Sequence, residues 1–268
     1  MGLGIRAVVR LCGVGFLLLL APGCAALFRA PGPVAPALSE GPDVLVDWFR
    51  EHVGATPSVK ALLQISVHSP EGSLSFNGVL FSERPSSLRL QGFSPLGQRL
   101  FDLMARGEMV TLRMENEQRY FEGTIDELGE GLRFPALPHV LGLMAAVMIA
   151  PPDASQAILL EEVGTGNGAA LSFYLGSGDD RQLTRRIWLD RQRRPLREEW
   201  YGPGGQVTAA VRYSDYHVVE QRWQPYQVEA RLDGNVSVKV TIKELQLNPV
   251  WRPDDFHIHG MPHAIARG

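Results

Sequence analysis

From Leu62 onward, apolar and polar residues alternate with a period of two along most of the chain. The segment Ser73–Phe81 keeps this alternation almost strictly, and Ser86–Phe93 repeats it after a short break. Successive side chains of a β-strand point to opposite faces, so the spacing predicts strands with one buried face. The apolar positions on that face of the two segments are Leu74, Phe76, Leu80, Leu88 and Leu90.

Thirteen segments are predicted as strands, and most of the breaks between them are short and polar, as in hairpin loops. Strands joined by such tight turns are antiparallel neighbours, so we expect a mainly β domain with one curved antiparallel sheet. The predicted strands are Leu62–His68, Ser73–Phe81, Ser86–Phe93, Gly97–Ala105, Met109–Met114, Gln118–Glu122, Ile158–Val163, Ala169–Leu175, Leu183–Asp190, Leu196–Tyr201, Gln206–Tyr213, Tyr226–Leu232 and Val236–Leu245.

Two segments depart from this pattern and favour helices, which makes the fold class α+β with strands dominant. Val44–Phe49 has apolar residues at helical spacing after the capping residue Asp43. Leu137–Ala150 is apolar and uncharged, too short to cross a membrane and too long for one strand. We interpret it as a buried helix, which forms either a fixed part of the core or, given its methionines, a movable lid.

The N-terminus is typical of a bacterial export signal. Arg6 and Arg10 precede or flank an apolar run, Leu11–Ala21, which leads through Pro22 and Gly23 to Cys24. This ending resembles a lipobox, so we expect lipidation of Cys24; cleavage near Ala26 or an uncleaved anchor are the alternatives. The predicted organisation is a lipoprotein signal peptide over residues 1–23, a flexible tether over 24–42, a folded domain over 43–256 and a tail over 257–268.

Charge and cysteine content exclude several classes of function. The whole chain has a net charge of −3, and the export signal removes two arginines and no acid. No excess of basic residues therefore indicates a nucleic-acid partner. Of the two cysteines, Cys12 lies in the signal, so the exported chain has neither an internal disulfide nor a zinc–thiolate site.

The motifs that would indicate catalysis are missing, so we expect no enzyme, no cofactor and no metal. There is no Gly-x-Ser-x-Gly elbow and no convincing nucleophile–base or carboxylate pair. His257, His259 and His263 stand near the C-terminus without a suitable set of further ligands. The arginine-rich segment 185–197 is interpreted as a solvated outer face, with a docking surface for an acidic partner or anionic lipid as the alternative.

The order of these elements resembles the lipoprotein-carrier superfamily, which includes the periplasmic carrier LolA and the outer-membrane receptor LolB. The resemblance covers roughly residues 43–256. It rests on the hairpin from Phe76 to Phe93, the following Ser94–Gly97 and the late Leu247–Pro249 with Asp255–Phe256. It implies an unclosed half-barrel, covered by helices, with an apolar cavity for acyl chains.

The resemblance also implies roles for individual residues. Leu96 matches the exposed leucine with which the receptor's loop helps to insert cargo into the membrane. Ala25 replaces the aspartate that retains such lipoproteins in the inner membrane, so we expect the outer membrane, periplasmic side, with Cys24 as anchor. The expected lining of the cavity is Leu74, Phe76, Leu80, Leu88, Leu90, Leu141, Met144 and Met148.

The function expected on this basis is binding of a lipid or an acylated lipoprotein, for lipoprotein localisation or lipid handling in the cell envelope. The alternative is an envelope assembly or scaffold lipoprotein whose core is filled. In that case a periplasmic or outer-membrane protein partner would dock on the outer face of the sheet.

Overall fold

A computed structural model describes residues 41–49, 51, 58–83, 87–107, 109–115, 119–124, 127, 157–163, 168–176, 180–232, 235–252 and 254–258. It contains one α-helix, α1, and thirteen strands in these ranges, and the strands form where the period-two pattern predicts them. The elements are α1 Pro42–Phe49, β1 Ser58–Ser69, β2 Gly72–Glu83, β3 Ser87–Phe93, β4 Arg99–Arg106, β5 Met109–Met114, β6 Arg119–Thr124, β7 Ala157–Val163, β8 Gly168–Leu175, β9 Gln182–Leu189, β10 Pro195–Tyr201, β11 Val207–Val219, β12 Arg222–Leu232 and β13 Val236–Leu247.

All thirteen strands belong to one antiparallel sheet. Its order is β6-β5-β4-β3-β2-β1-β13-β12-β11-β10-β9-β8-β7, so β6 and β7 are the two edges and the sheet is not closed. Each half is a meander of sequence neighbours, and the pairing of β1 with β13 joins the two halves. The prediction of a mainly β, unclosed antiparallel sheet is confirmed.

The hairpin of β11 and β12 is longer than predicted. Both strands continue past the expected ends, so that Val219 pairs with Arg222 across a two-residue turn. The turn residues Glu220 and Gln221 have φ values of 48° and 63°, as a primed hairpin turn requires. The prediction ended β11 early because polar residues such as His217 interrupt the alternation.

One face of the sheet, here called the inner face, forms the core. Ile65 marks its centre: it pairs with Phe76 on one side and with Val240 on the other, and it has no exposed surface. A single hydrophobic cluster extends from Val110 and Leu112 on β5 to Leu171 and Phe173 on β8. The inner face therefore carries one continuous apolar surface across both halves of the sheet.

The opposite, outer face is partly covered by the segment that follows β13. Arg89 on β3 donates from Nη1 to the carbonyl oxygens of Asp254 and Asp255, at 2.7 and 3.1 Å. Arg106 donates to the carbonyl oxygen of Phe256 at 2.8 Å. This packing continues to Ile258, whose side chain is 1% exposed and which is the second residue of the expected tail.

The expected cover of helices is not borne out in the described residues. There α1 is the one helix, eight residues long, against thirteen strands. The segment 137–150, interpreted as a second helix, lies outside the described residues. Length and apolarity alone could not establish a helix there, since an uncharged apolar run lacks the polar face that distinguishes helical from strand spacing.

In the described ranges, no helix is both long enough and apolar enough to cross a bilayer.

Candidate functional site: the apolar inner face

Five of the predicted cavity residues lie on the inner face, as the alternation requires. Phe76, Leu80 and Leu90 are almost completely buried, with at most 3% exposure. Leu74 and Leu88 are partly buried and pack against the same cluster. The prediction that these residues share one apolar surface agrees with their positions, whereas their role in binding a ligand stays a prediction.

Glycine allows the sheet to pack closely at this point. Gly78 and Gly92 face each other across β2 and β3. The ring of Phe101 lies over Gly92, where a Cβ atom would be 2.2 Å from Cε1 of the ring. Phe101 also contacts Phe76 edge to face, with 5.2 Å between ring centroids. Gly92 therefore makes room for an aromatic pair on the inner face, while Gly78 leaves space for Leu90 and Ile65.

Helix α1 contributes to the same cluster. Its first turn begins with proline, whose fixed φ suits that position, and Asp43 favours the positive end of the helix dipole. Leu45, Val46 and Trp48 are buried among the inner-face residues. In sequence α1 follows directly on the predicted tether.

The remaining predicted cavity residues, Leu141, Met144 and Met148, lie outside the described residues, and so does Cys24. Two clefts beside the described strands, of about 500 and 430 Å³, have other linings. The larger follows β1 and β13 near Lys60 and Lys243, and the smaller lies near Arg197 and Arg212. Neither is the apolar cavity that was expected.

Leu96 lies at the tip of the turn between β3 and β4, and 88% of its surface is exposed. The turn is closed by backbone hydrogen bonds from Ser94 to Gln98 and from Gly97 to Ser94, at 2.8 and 2.9 Å. Gly97 adopts φ +81°, which favours glycine. The backbone geometry thus holds an apolar side chain away from its own sheet.

A buried polar group on the inner face was missed by the sequence analysis. Arg185 on β9 donates from Nε to Oε1 of Glu198 on β10. Tyr213 on β11 donates from its hydroxyl to Oε2 of the same carboxylate at 2.9 Å. Exposure of the three residues is 7%, 0% and 2%, so the group is enclosed in the core.

The interpretation of segment 185–197 as a solvated outer face is therefore wrong for Arg185. The alternation did indicate its burial, because Arg185 is two and four residues from Ile187 and Leu189 and so points to the same face of β9. The prediction placed Arg185 on the outer face because of its charge, although an arginine can be buried when a carboxylate pairs with it. Arg186 and Arg197 lie on the other face.

Burial changes the proton affinity of this group. It raises the pKa of Glu198 above its ordinary value, and the nearby Arg185 partly opposes the change. Burial also raises the pKa of Tyr213 well above 10.0, and the adjacent Glu198 carboxylate raises it further. The tyrosine is therefore a hydrogen-bond donor throughout the physiological pH range.

Within the part of the chain that the structure describes, no group of three or more His, Cys, Asp or Glu side chains is placed to hold a metal ion. His259 and His263 lie outside those ranges, so the sequence-based expectation about the histidines is not tested.

Comparison with known proteins identifies the fold through structure alone. No family model matches the sequence, and no curated protein matches it significantly. Among solved structures, a Vibrio parahaemolyticus domain named for outer-membrane lipoprotein sorting is 12% identical with a TM-score of 0.53. The match covers 79% of this chain and 94% of that one.

Two further structures give the same result. A LolA superfamily protein from Nitrosomonas europaea is 12% identical, with a TM-score of 0.52 over 76% of this chain and 92% of that one. A DUF1329 family protein from Desulfovibrio piger is also 12% identical, with a TM-score of 0.53 over 79% and 94%. None of the three is named for an enzymatic activity. Together with the unclosed antiparallel sheet, these matches show that the chain has a LolA/LolB-like fold.

Proposed function

We propose that this protein is a lipoprotein of the outer membrane, facing the periplasm, whose inner face binds the acyl chains of a lipid or of an acylated lipoprotein. The observation that carries the proposal is the continuous apolar inner face of an unclosed LolA/LolB-like sheet. Burial of an acyl chain there contributes about 0.8 kcal/mol per methylene, so binding and release need no catalytic residue.

Helix α1 supports the proposal because it is a small element over this face. Only eight residues long, it buries Leu45, Val46 and Trp48 in the cluster. Displacement of α1 would expose apolar surface without breaking any pairing of the sheet. We propose that an acyl chain replaces the α1 side chains on the inner face.

The β3–β4 turn supports a second part of the proposal, namely contact with the membrane. A leucine that is 88% exposed leaves its apolar surface in water. Its burial in a lipid layer would contribute about 1.5–3 kcal/mol. We propose that Leu96 enters the outer membrane when the protein receives or releases its cargo, with Cys24 as the lipidated anchor.

The scaffold alternative, with partner docking on the outer face, has less support. Arg185, part of the arginine-rich surface on which it rested, is buried on the inner face. Two of the remaining arginines already have carboxylate partners, Glu199 for Arg197 and Asp190 for Arg194. These ion pairs leave a less cationic surface than the sequence indicates.

Photo-crosslinking of the full chain in lipid vesicles tests the proposed function. The vesicles contain a phosphatidylcholine with a diazirine in the middle of one acyl chain, and the labelled peptides are identified by mass spectrometry. We expect adducts on inner-face residues of β2, β3 and β4. Absence of adducts there, with labelling confined to the Leu96 turn, would refute binding on the inner face and favour the scaffold alternative.

A pair of matched variants controls for general damage. Leu88→Asn places an amide on the inner face, where the side chain is partly buried, and should reduce the adduct yield. Leu62→Asn makes the same change at an outer-face position that is 39% exposed, and should leave the yield unchanged. Circular dichroism establishes that both variants are folded.

A further inference from the structure

The Arg185–Glu198 pair has a counterpart on the other face of the sheet, in which Nη2 of the arginine has a hydrogen-bond partner. Arg89 forms a similar cross-strand pair with Asp102, with hydrogen bonds of 2.8 and 2.6 Å from Nε and Nη2. Its third nitrogen, Nη1, is satisfied by the carbonyl oxygens of Asp254 and Asp255. Each of the three guanidinium nitrogens of Arg89 therefore has a hydrogen-bond partner.

Arg185 is less completely paired. Its Nε binds Glu198, but Nη2 is buried and has no hydrogen-bond partner among the described residues. A buried donor without an acceptor is costly, and native proteins rarely retain one without a reason. The atom is held in place, since the guanidinium carbon lies 5.6 Å from the ring centre of Phe173 and 5.7 Å from that of Trp200.

From this geometry we infer that Arg185 Nη2 binds the carbonyl oxygen of an acyl ester or amide in a ligand on the inner face. The inference rests on the proposed function and names the part of the ligand that this site recognises. The surrounding cluster is apolar, as the rest of an acyl chain requires. One donor in an apolar surface fixes the position of a chain that would otherwise slide along it.

The charge of the group selects a neutral acceptor over an anion. Glu198 already balances the charge of Arg185, and its carboxylate is completely buried. A phosphate or a free fatty-acid carboxylate would add an unbalanced negative charge next to Glu198, which is unfavourable in the core. An ester or amide carbonyl accepts the hydrogen bond without adding charge.

The test compares ester- and ether-linked lipids on the full chain in vesicles. Two diazirine phosphatidylcholines are used that differ only in having ester or ether linkages, because an ether lacks the carbonyl oxygen. We expect inner-face labelling to favour the ester probe by about tenfold, the effect of one hydrogen bond from a charged donor. The same pair of probes built on a diacylglyceryl-cysteine peptide distinguishes an acylated protein from a membrane lipid as the source of the carbonyl.

Two combined variants separate the site from general effects. Arg185→Met with Glu198→Leu and Tyr213→Phe replaces the whole buried polar group by apolar residues, a change that proteins often tolerate, and should abolish the ester preference while labelling continues. Arg89→Met with Asp102→Leu is the matched control and should retain the preference. Equal labelling of the wild-type inner face by both probes would overturn the inference but leave the proposed function standing. Absence of inner-face labelling by either probe would overturn both.

Discussion

At the scale of single residues, the same arrangement of a buried arginine and a carboxylate occurs on both faces of the sheet, with different surroundings on each face. In each, the arginine lies on one strand and the carboxylate on the next strand, thirteen residues later. Arg89 binds backbone carbonyls and so fastens the segment after β13 to the outer face. Arg185 instead lies among apolar residues of the inner face with one nitrogen unpaired.

Tyr213→Phe should show the contribution of this group to stability and its dependence on pH. At neutral pH we expect a loss of about 1.5–3 kcal/mol, since the hydroxyl donates to a carboxylate. Because the folded-state pKa of Tyr213 is raised well above 10.0, its stabilisation is complete below that pH and decreases as pH rises toward the folded-state pKa.

Urea unfolding of wild type and Tyr213→Phe at a series of pH values measures this effect. The difference between the two proteins should be constant from neutral pH to about pH 9 and should shrink above pH 10. A difference that stays constant at alkaline pH would mean that the pKa of this tyrosine is not raised in the folded protein.

At the scale of elements, the β3–β4 turn differs from the strands because its backbone defines its conformation and the side chain at its tip lies outside the core. Its backbone hydrogen bonds and the φ of Gly97 define the turn, while the side chain of Leu96 contributes nothing to the core. Substitution of that side chain should therefore change interactions outside the domain only. The strands differ, because each buries one face in the shared cluster.

Leu96→Ser should weaken association with lipid vesicles without changing the free energy of unfolding by more than about 0.5 kcal/mol. The measurement is vesicle flotation of the full chain with Cys24→Ala, which removes the proposed lipid anchor. Val250→Ser is the matched control, because Val250 is 95% exposed but lies after β13. Equal loss of binding in both variants would indicate nonspecific apolar attraction and contradict a role for the turn.

At the scale of the whole molecule, the pairing of β1 with β13 joins two meanders into one folding unit. Ile65 and Val240 meet at this junction, both with no exposed surface, and the cluster continues into both halves. Two edges remain, at β6 and β7, which follow each other along the chain but are not paired in the sheet. The free energy of unfolding of each half should therefore depend on whether the other half is folded.

Single-tryptophan variants test whether the halves unfold together. Trp251 reports on the first half because its ring lies 6.3 Å from that of Phe81 on β2, while Trp200 on β10 reports on the second. With the other tryptophans changed to phenylalanine, both probes should give the same urea midpoint, as expected for a cooperative unit. Two separate midpoints would show that the β1–β13 junction does not couple the halves.

Local patterns predicted most of the sheet. Alternation identified the strands and placed Phe76, Leu80 and Leu90 on one buried face, because the period of two follows from strand geometry. The prediction was wrong at Arg185, which was placed on the outer face because of its charge and not by its position in the alternation. It also ended β11 at Tyr213, because the polar residues that follow interrupt the alternation. The helical cover was inferred from apolar length, which does not distinguish helix from strand.

The sequence by itself determined the strands, their antiparallel neighbours within each half and the apolar face, since all three depend on short-range spacing and turn chemistry. Only the tertiary structure decided that β13 lies beside β1 and that the sheet stays open between β6 and β7. It also buried the polar group of Arg185, Glu198 and Tyr213, which neighbouring strands bring together, in the core. The β1–β13 pairing and this burial depend on tertiary packing between residues distant in sequence, and the free energy of that packing cannot be obtained from local spacing.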